Sequence, residues 1–169
     1  WMPKKEDLGG DKWNQCFEVV DDNFYFIEAE RYDLDAVLKK GAELVKRKGI
    51  KCLVIDPYNK VKMKGSGDLS ITDATMEYLA KIEAFAKKYD VLVIIVAHPT
   101  KMYKKDDGTI DEPTMYNIKG GGEWYDASYH GLLVHRNYTN NTVKVKVLKV
   151  KFQNLGENQA EAHFKWNHA

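Results

Sequence analysis

A short apolar run that ends in an aspartate constrains the fold of this chain more than any other feature. Residues 52–55 read Cys-Leu-Val-Ile and lead directly into Asp56 and Pro57. A continuous apolar run of this length, rich in β-branched residues, is typical of a strand buried on both faces, as in a parallel sheet. Because proline donates no hydrogen bond to a ladder, the strand is predicted to end there. The run therefore predicts an α/β protein with a carboxylate at the carboxyl end of one strand.

Asp56 has two interpretations at this point. In open α/β sheets the carboxyl ends of the strands form the edge where ligands bind, and in nucleotide hydrolases a carboxylate at this place helps to hold the magnesium that bridges the phosphates. Alternatively, Asp56 only caps the following turn, since aspartate before proline favours turns. The run by itself does not separate the two.

The composition is that of an ordinary globular protein. A length of 169 residues suggests one domain with a substantial core, and 44% of the residues are apolar. The formal net charge of +1 excludes a globally basic chain, so any surface for nucleic acid must be local. Cys16 and Cys52 have no metal-ligand spacing, and with no signal peptide or membrane-spanning run they favour a reduced, cytoplasmic setting without a membrane.

Strands and helices are predicted to alternate along the first hundred residues. The predicted elements are a strand at 24–27, a helix at 34–48 capped by Asp33 and Gly49, the strand at 52–55, a helix at about 72–89 and a strand at 91–97. The last strand ends in His98 and Pro99. Two buried strands, one helix apart, therefore each deliver one polar side chain at the carboxyl end. This coincidence favours a phosphate or metal site.

The middle of the chain is polar and contains lysines and a run of three glycines. It includes the sequence Ile-Lys-Gly-Gly-Gly-Glu-Trp at 118–124. Consecutive glycines permit close approach of the backbone to a ligand, and their amides can form an anion-binding nest. A glycine triplet is also common in plain flexible loops, so this alternative stays open.

Strands are predicted again in the last third, at 131–136, 142–152 and 161–166, with a tight turn at Asn140 and Asn141. In the long strand valines alternate with lysines over residues 143–147. The alternation then shifts by one residue, so that Lys149 and Lys151 would lie on the same face as the valines. Either a bulge near Leu148 resets the phase, or the strand end presents the two lysines. A solvated edge strand protected by lysine is a third interpretation.

Taken in this order, the motifs resemble the RecA-like motor domain of the DnaB-like ring helicases, most closely the Twinkle and phage primase-helicase branch. The resemblance covers nearly the whole chain from residue 24 onward. It implies a RecA-like P-loop NTPase core, with a parallel central sheet and antiparallel strands at its C-terminal edge. It also implies a replicative helicase that uses ATP and Mg²⁺ to move along single-stranded DNA, as a homo-oligomeric ring expected to be a hexamer.

The resemblance also implies roles for individual residues. Asp56 matches the Walker B aspartate that positions magnesium, and His98 matches the residue that senses the γ-phosphate. Arg136 matches an arginine near the nucleotide base. Lys149 and Lys151 match a basic catalytic pair that reaches the nucleotide of a neighbouring subunit. The positions matching loops that contact single-stranded DNA are Lys101, Lys104, Lys105, Lys119, Gly120, Gly121 and Gly122.

The chain departs from the family pattern in two respects. Relatives usually carry arginine at position 151, and lysine supplies the charge without the planar fork. The sequence also contains no GxxxxGK[ST] phosphate loop and no strand ending in the family's catalytic glutamate. Since the chain begins at Trp1, we expect a truncated motor domain, from a phage or a mobile element of a bacterium, that does not hydrolyse ATP alone.

The predicted organisation is one domain over residues 1–169: a poorly defined lead-in at 1–23, a βαβαβ core at 24–99, DNA-facing loops at 100–130 and C-terminal strands at 131–169. Three other functions stay open. They are a RecA-like recombinase or regulatory ATPase, a hydrolase with Asp56 and His98 as metal ligands, and a DNA-binding module without catalysis.

Overall fold

The computed structural model describes residues 10–28, 32–62, 69–102, 106, 111–137 and 140–165. Contacts divide the chain into two units, Trp1–Glu30 and Arg31–Ala169. The helices and strands, in chain order, are α1 (Gly10–Asn23), α2 (Leu34–Lys48), β1 (Cys52–Ile55), α3 (Ile71–Tyr89), β2 (Leu92–Ile95), α4 (Gly122–Ala127), β3 (His130–Asn137), β4 (Thr142–Val150) and β5 (Glu161–Lys165). Short 3-10 helices lie at Tyr58–Lys60, Met115–Asn117 and Gln153–Leu155.

The N-terminal unit differs from the sequence prediction. Helix α1 begins at Gly10, inside the predicted irregular lead-in, and residues 24–27 form no strand. The side chain of Phe26 is 86% exposed. A strand needs a partner for its backbone N–H and C=O groups, and this run pairs with none of the described strands. The predicted βαβαβ core therefore lacks its first strand, because aromatic composition alone does not make one.

Helix α2 has the ends that its sequence predicts. A carboxylate oxygen of Asp33 accepts a hydrogen bond from the Ala36 N–H at 2.8 Å. At the other end Gly49 adopts φ of 68°, and its N–H donates to the carbonyl of Val45 at 3.0 Å. The caps satisfy backbone groups that have no partner within the helix, and the prediction for residues 34–48 is confirmed.

The core lies between α2, α3, β1 and the segment that contains α4. Its buried residues are Leu34, Ile55, Tyr78, Leu79, Ile82, Met115 and Trp124. Helix α3 contributes the apolar face that its sequence predicts, and the hydroxyl of Ser70 caps its first turn by accepting from the Asp73 N–H at 3.1 Å. Helix α2 packs closely against α3 at Gly41, where an added Cβ would lie 3.2 Å from the ring of Phe85.

Strands β1 and β2 pair in parallel, with Ile55 opposite Ile95. The prediction that these strands are buried on both faces is wrong for the described chain. Leu53 and Ile55 are buried against the helices, whereas Val54 and Leu92 on the other face are 55% and 59% exposed. One face is covered by α2 and α3, and nothing in the described ranges covers the other.

The C-terminal strands form an antiparallel sheet of their own in the order β3-β4-β5. The register places Gly131 opposite Lys149 and Leu132 opposite Val147, so that Leu148 is the extra residue of a bulge. The bulge interpretation of the phase slip is therefore confirmed. The predicted hairpin turn is also present, with Asn141 at φ of 56°.

The α/β class with a parallel sheet and antiparallel C-terminal strands is confirmed. Within the described residues no helix is long and apolar enough to cross a bilayer.

Candidate functional site

Asp56 is fixed at the carboxyl end of β1 by hydrogen bonds on either side of it. The carbonyl of Ile55 accepts from the Val96 N–H at 2.9 Å, and the Tyr58 N–H donates to the carbonyl of Val96 at 3.0 Å. Both bonds go to the same residue of the neighbouring segment, so the backbone between them has little freedom. Asp56 itself is exposed. The structure therefore presents one carboxylate to solvent at the edge where ligands of α/β sheets bind.

His98 comes to the same edge. In the parallel register Ile55 lies opposite Ile95, which makes Val96 level with Asp56. His98 follows two residues later and is exposed. The carboxyl ends of the paired parallel strands therefore place Asp56 and His98 at the same edge of the sheet. No group of three or more His, Cys, Asp or Glu side chains in the described ranges is arranged to hold a metal ion.

The segment after His98 pairs with the residues before the glycine triplet. Pro99 forms an antiparallel bridge with Ile118. The N–H and the hydroxyl of Thr100 both donate to the carbonyl of Asn117, at 2.7 Å and 2.9 Å. The segment that follows His98 is thus joined by hydrogen bonds to the residues just before the glycine triplet.

Lys119 is anchored through its backbone while its side chain stays exposed. The hydroxyl of Tyr58 donates to the Lys119 carbonyl at 3.3 Å, and the indole N–H of Trp124 donates to it at 2.9 Å. Trp124 is only 3% exposed, and its ring lies edge-on to that of Tyr58 at 4.7 Å. Burial raises the pKa of Tyr58, so its hydroxyl remains a protonated donor at neutral pH. Burial also raises the pKa of Tyr78 to about 12, and the buried Tyr78 hydroxyl has no hydrogen-bond partner among the described residues.

The three glycines form an ordered turn that leads into α4. Gly120 and Gly121 have φ of +100° and +49°, in a region that side chains disfavour. A Cβ on Gly120 would lie 2.4 Å from the hydroxyl oxygen of Thr75. The N–H of Gly121 donates to the carbonyl of Ile118 at 2.8 Å, so it is not available to a nest. Conformation favours glycine at positions 120 and 121, and packing against Thr75 requires it at position 120, which favours an ordered turn over a plain flexible loop.

The two lysines at the end of β4 are held within this chain. The ammonium of Lys149 donates to the carbonyls of Tyr125 and Asp126, and it lies 4.5 Å from the ring centroid of Tyr125. Burial is the main cause of the lowered pKa of Lys149, and the positive charge of Lys151 adds to it. Lys151 is exposed, with its ammonium 4.1 Å from the ring centroid of Tyr129.

Arg136 lies near the other end of the C-terminal sheet. It pairs with Val143 close to the hairpin turn, five residues along β3 from Gly131. Five residues of strand correspond to about 17 Å. The structure therefore does not bring Arg136 to the end of the sheet where Lys149 and Lys151 lie. Lys101 is exposed, and Lys104 and Lys105 lie outside the described residues.

Two other lysines of β4 belong to an ion-pair network that the sequence pattern does not reveal. Glu112 pairs with Lys144 and with Lys146, and Glu161 pairs with Lys146 at 3.3 Å. Hydrogen bonds from the lysines lower the pKa of Glu112 and of Glu161. Tyr58 and Trp124 are likewise missed by sequence patterns. The ion pairs and the Tyr58 contact join residues distant in sequence, so no local pattern predicts them. Trp124 lies only five residues from Lys119, and its position next to the glycine triplet is the one signal that the sequence offers.

No family model matches the sequence. The Twinkle homolog protein, chloroplastic/mitochondrial, of Arabidopsis thaliana is 32% identical over 164 residues, which cover 92% of this chain and 22% of that protein. The chain thus spans about a fifth of this relative's length. The organellar plant relative gives no support to the expected bacterial or phage source.

A crystal structure of the RadB recombinase aligns with 79% of this chain and 56% of that chain, with a TM-score of 0.49 and 11% identity. A likeness of this strength carries no argument about function or fold. The sequence match does carry one, because it extends over nearly the whole chain. The chain is therefore similar to part of a Twinkle-type protein, and its resemblance to the C-terminal part of the RecA-like motor domain of DnaB-like ring helicases is confirmed.

Proposed function

We propose that this chain is part of an ATP-driven DNA helicase motor that moves along single-stranded DNA as a ring, with six subunits as the expected number. Asp56 helps to position Mg²⁺ on the phosphates, and His98 responds to the γ-phosphate. Lys101 and Lys119 contact the DNA backbone. The intact protein is a replicative helicase or a primase-helicase, and its phosphate loop lies in a part other than these residues.

One observation supports this proposal above the others: the carboxyl edge of the parallel strands and the lysine-bearing turn form one hydrogen-bonded unit. Ile55 and Tyr58 are tied to Val96, and two residues beyond it His98 leads into the bridge between Pro99 and Ile118. A change in hydrogen bonding at His98 is therefore transmitted to the neighbouring backbone without crossing a flexible segment. A motor needs such a link between its nucleotide and its track.

The residues present fit a magnesium nucleotide in a limited way. Mg²⁺ prefers oxygen ligands, keeps several waters and is often bound by one or two carboxylates together with substrate phosphates. Asp56 supplies one exposed carboxylate, and the described residues contain no larger cluster of acidic and histidine ligands. This favours a magnesium ion held mainly by phosphates and water over a hydrolase with a metal site built from protein side chains. When bound, the nucleotide supplies the phosphoryl transfer that drives the motor.

The two lysines after the bulge have different parts in this proposal. Lys151 is exposed just beyond the end of β4, so its charge can reach a nucleotide on a neighbouring subunit once its ammonium leaves the ring of Tyr129. Lys149 donates to the carbonyls of Tyr125 and Asp126 and must leave them before it can act on a neighbour. Arg136 is proposed to contact the nucleotide base in the assembled ring.

A His98→Ala variant of the intact protein is expected to uncouple ATP hydrolysis from DNA. Basal turnover should stay within about threefold of the parent, while the stimulation by single-stranded DNA should fall to nearly nothing, since the signal starts at this side chain. The measurement is steady-state ATP turnover with and without oligo(dT). His135→Ala, at another exposed histidine, is the matched control. Full stimulation of the His98 variant would remove this residue from the link.

Replacing Lys101 and Lys119 by alanine is expected to weaken single-stranded DNA binding and flatten its salt dependence. Each lost phosphate contact lowers the slope of log affinity against log salt by about 0.7, so the double variant should lose about 1.4. Fluorescence anisotropy of a labelled oligo(dT) over a salt series measures this. The double variant Lys39→Ala, Lys46→Ala removes the same charge from α2 as a control. Equal slopes for the two double variants would contradict the proposed DNA surface.

A further inference from the structure

A stacked pair of tyrosines lies beside the glycine turn. Tyr116, on the 3-10 helix Met115–Asn117, has its ring centroid 5.2 Å from that of Tyr125, with the planes 19° apart. Tyr116 is nevertheless 59% exposed. Tyr125 is half-buried and lies close to the ammonium of Lys149. The pair therefore has an anchored inner ring and an open outer ring.

The pair forms one wall of a cavity of about 350 Å³. Residues that can contact a ligand there include Thr114, Tyr116, Tyr125, Lys146, Leu148 and Gln159. Small-molecule pockets range upward from about 300 Å³, so this cavity suits one small ring system. Its aromatic wall offers stacking. The amide of Gln159 offers hydrogen bonds, and the hydroxyl of Thr114, which donates to Asn117, can still accept one. This set of groups suits a flat heterocycle with polar edges, such as a nucleobase.

The open ring lies next to the proposed DNA surface. A Cβ on Gly122 would lie 3.9 Å from Cε1 of Tyr116, so the ring packs along the glycine turn. Tyr116 also precedes, by two residues, the Ile118 that bridges to Pro99. A strand whose phosphates lie on Lys119 therefore has an aromatic face close to its bases.

We propose that Tyr116 is a stacking platform for an unpaired base of single-stranded DNA, with the adjoining cavity receiving the edge of that base. The proposal rests on the DNA surface proposed above and deepens it. Stacking on an aromatic ring accepts any base, because every base has a π-face. Tyr125 holds the platform in place before DNA arrives, which reduces the ordering cost of binding. The lysines then supply salt-dependent affinity and Tyr116 supplies a contact that salt does not screen.

The experiment uses oligo(dT) with one central 2-aminopurine, whose fluorescence is quenched when it stacks. Binding to the intact parent protein should quench it. Tyr116→Ala should remove the quenching and weaken binding by roughly 5- to 150-fold, with the salt slope unchanged. Tyr116→Phe keeps the ring and should retain both signals. Circular dichroism checks that the variants fold, which we expect because Tyr116 is largely exposed.

The controls separate this inference from the proposed function. Tyr32→Ala removes a tyrosine of similar exposure, 51%, and should leave quenching and affinity unchanged. An oligonucleotide with abasic sites should bind the parent and Tyr116→Ala equally.

If the parent binds DNA with lysine dependence but Tyr116→Ala binds and quenches like the parent, only the platform is overturned. If the parent does not bind DNA, both proposals fall. If free ATP displaces the 2-aminopurine signal while the DNA stays bound, the cavity is a nucleotide site and the platform is overturned.

Discussion

An Asp56→Asn variant of the intact protein is expected to lose about 100- to 1,000-fold of its DNA-stimulated ATP turnover, the range found when one preorganised electrostatic contact to a transition state is removed. The effect is large because asparagine cannot supply the negative charge that the exposed carboxylate brings to Mg²⁺. Asparagine keeps the size of the side chain and favours turns as well as aspartate does. The substitution therefore separates the metal interpretation from the turn-capping one.

The measurement is ATP turnover with saturating oligo(dT) over a magnesium series, together with thermal unfolding. The proposal requires a loss of turnover with the midpoint of unfolding nearly unchanged. Asp90→Asn is the matched control, since Asp90 also follows a regular element and has φ of 50°, where asparagine is well tolerated. If Asp56→Asn turns over ATP like the control, Asp56 only shapes the turn, and the magnesium role is wrong.

The parts of the fold that were predicted well depend on neighbours in sequence. The caps of α2 at Asp33 and Gly49 lie within a few residues of the groups that they satisfy. The bulge at Leu148 follows from a phase slip that is visible within one strand. Local chemistry is sufficient in these cases because the competing conformations differ in the same few backbone groups.

The parts of the fold that were predicted wrongly depend on a strand's pairing partner or on the layer that packs against its face. Residues 24–27 have a strand-like composition but no pairing partner among the described strands. Val54 and Leu92 are apolar and exposed, because a buried strand requires a layer on each face and the described chain supplies one. Sequence composition measures the tendency of a segment and says nothing about its partner.

The same difference between local and long-range contacts decides which parts of the candidate site can be predicted from the sequence. The placing of Asp56 and His98 at one edge of the sheet can be predicted from the sequence, because the carboxyl ends of two paired parallel strands lie at the same edge. The contact from the Tyr58 hydroxyl to the Lys119 carbonyl spans 61 residues, and the docking of Lys149 on α4 spans 24. Such contacts depend on how the helices and strands pack against one another, so no local sequence pattern predicts them.

Alanine substitutions along the glycine triplet are expected to change the free energy of unfolding by three different amounts. At Gly120 the positive φ costs about 1–3 kcal/mol, and the contact with Thr75 adds overpacking of similar size, so the free energy of unfolding should fall by about 3 kcal/mol or more. At Gly121 an added Cβ has room, 3.9 Å from the nearest atom, so only the strain of about 1–3 kcal/mol remains. Gly122 begins α4, and alanine there should be neutral or gain about 0.4–1 kcal/mol.

Urea denaturation of the three variants measures the series, with Gly122→Ala as the matched control. Adding Thr75→Ala to Gly120→Ala should recover the overpacking part and leave the strain, because the Thr75 hydroxyl is the atom that a new Cβ meets first. Equal unfolding midpoints for all three variants would mean that the turn is loose after all. The expected order instead describes a turn that is rigid before any ligand arrives. Lys119 is then presented without the ordering cost that a flexible glycine loop would add to DNA binding.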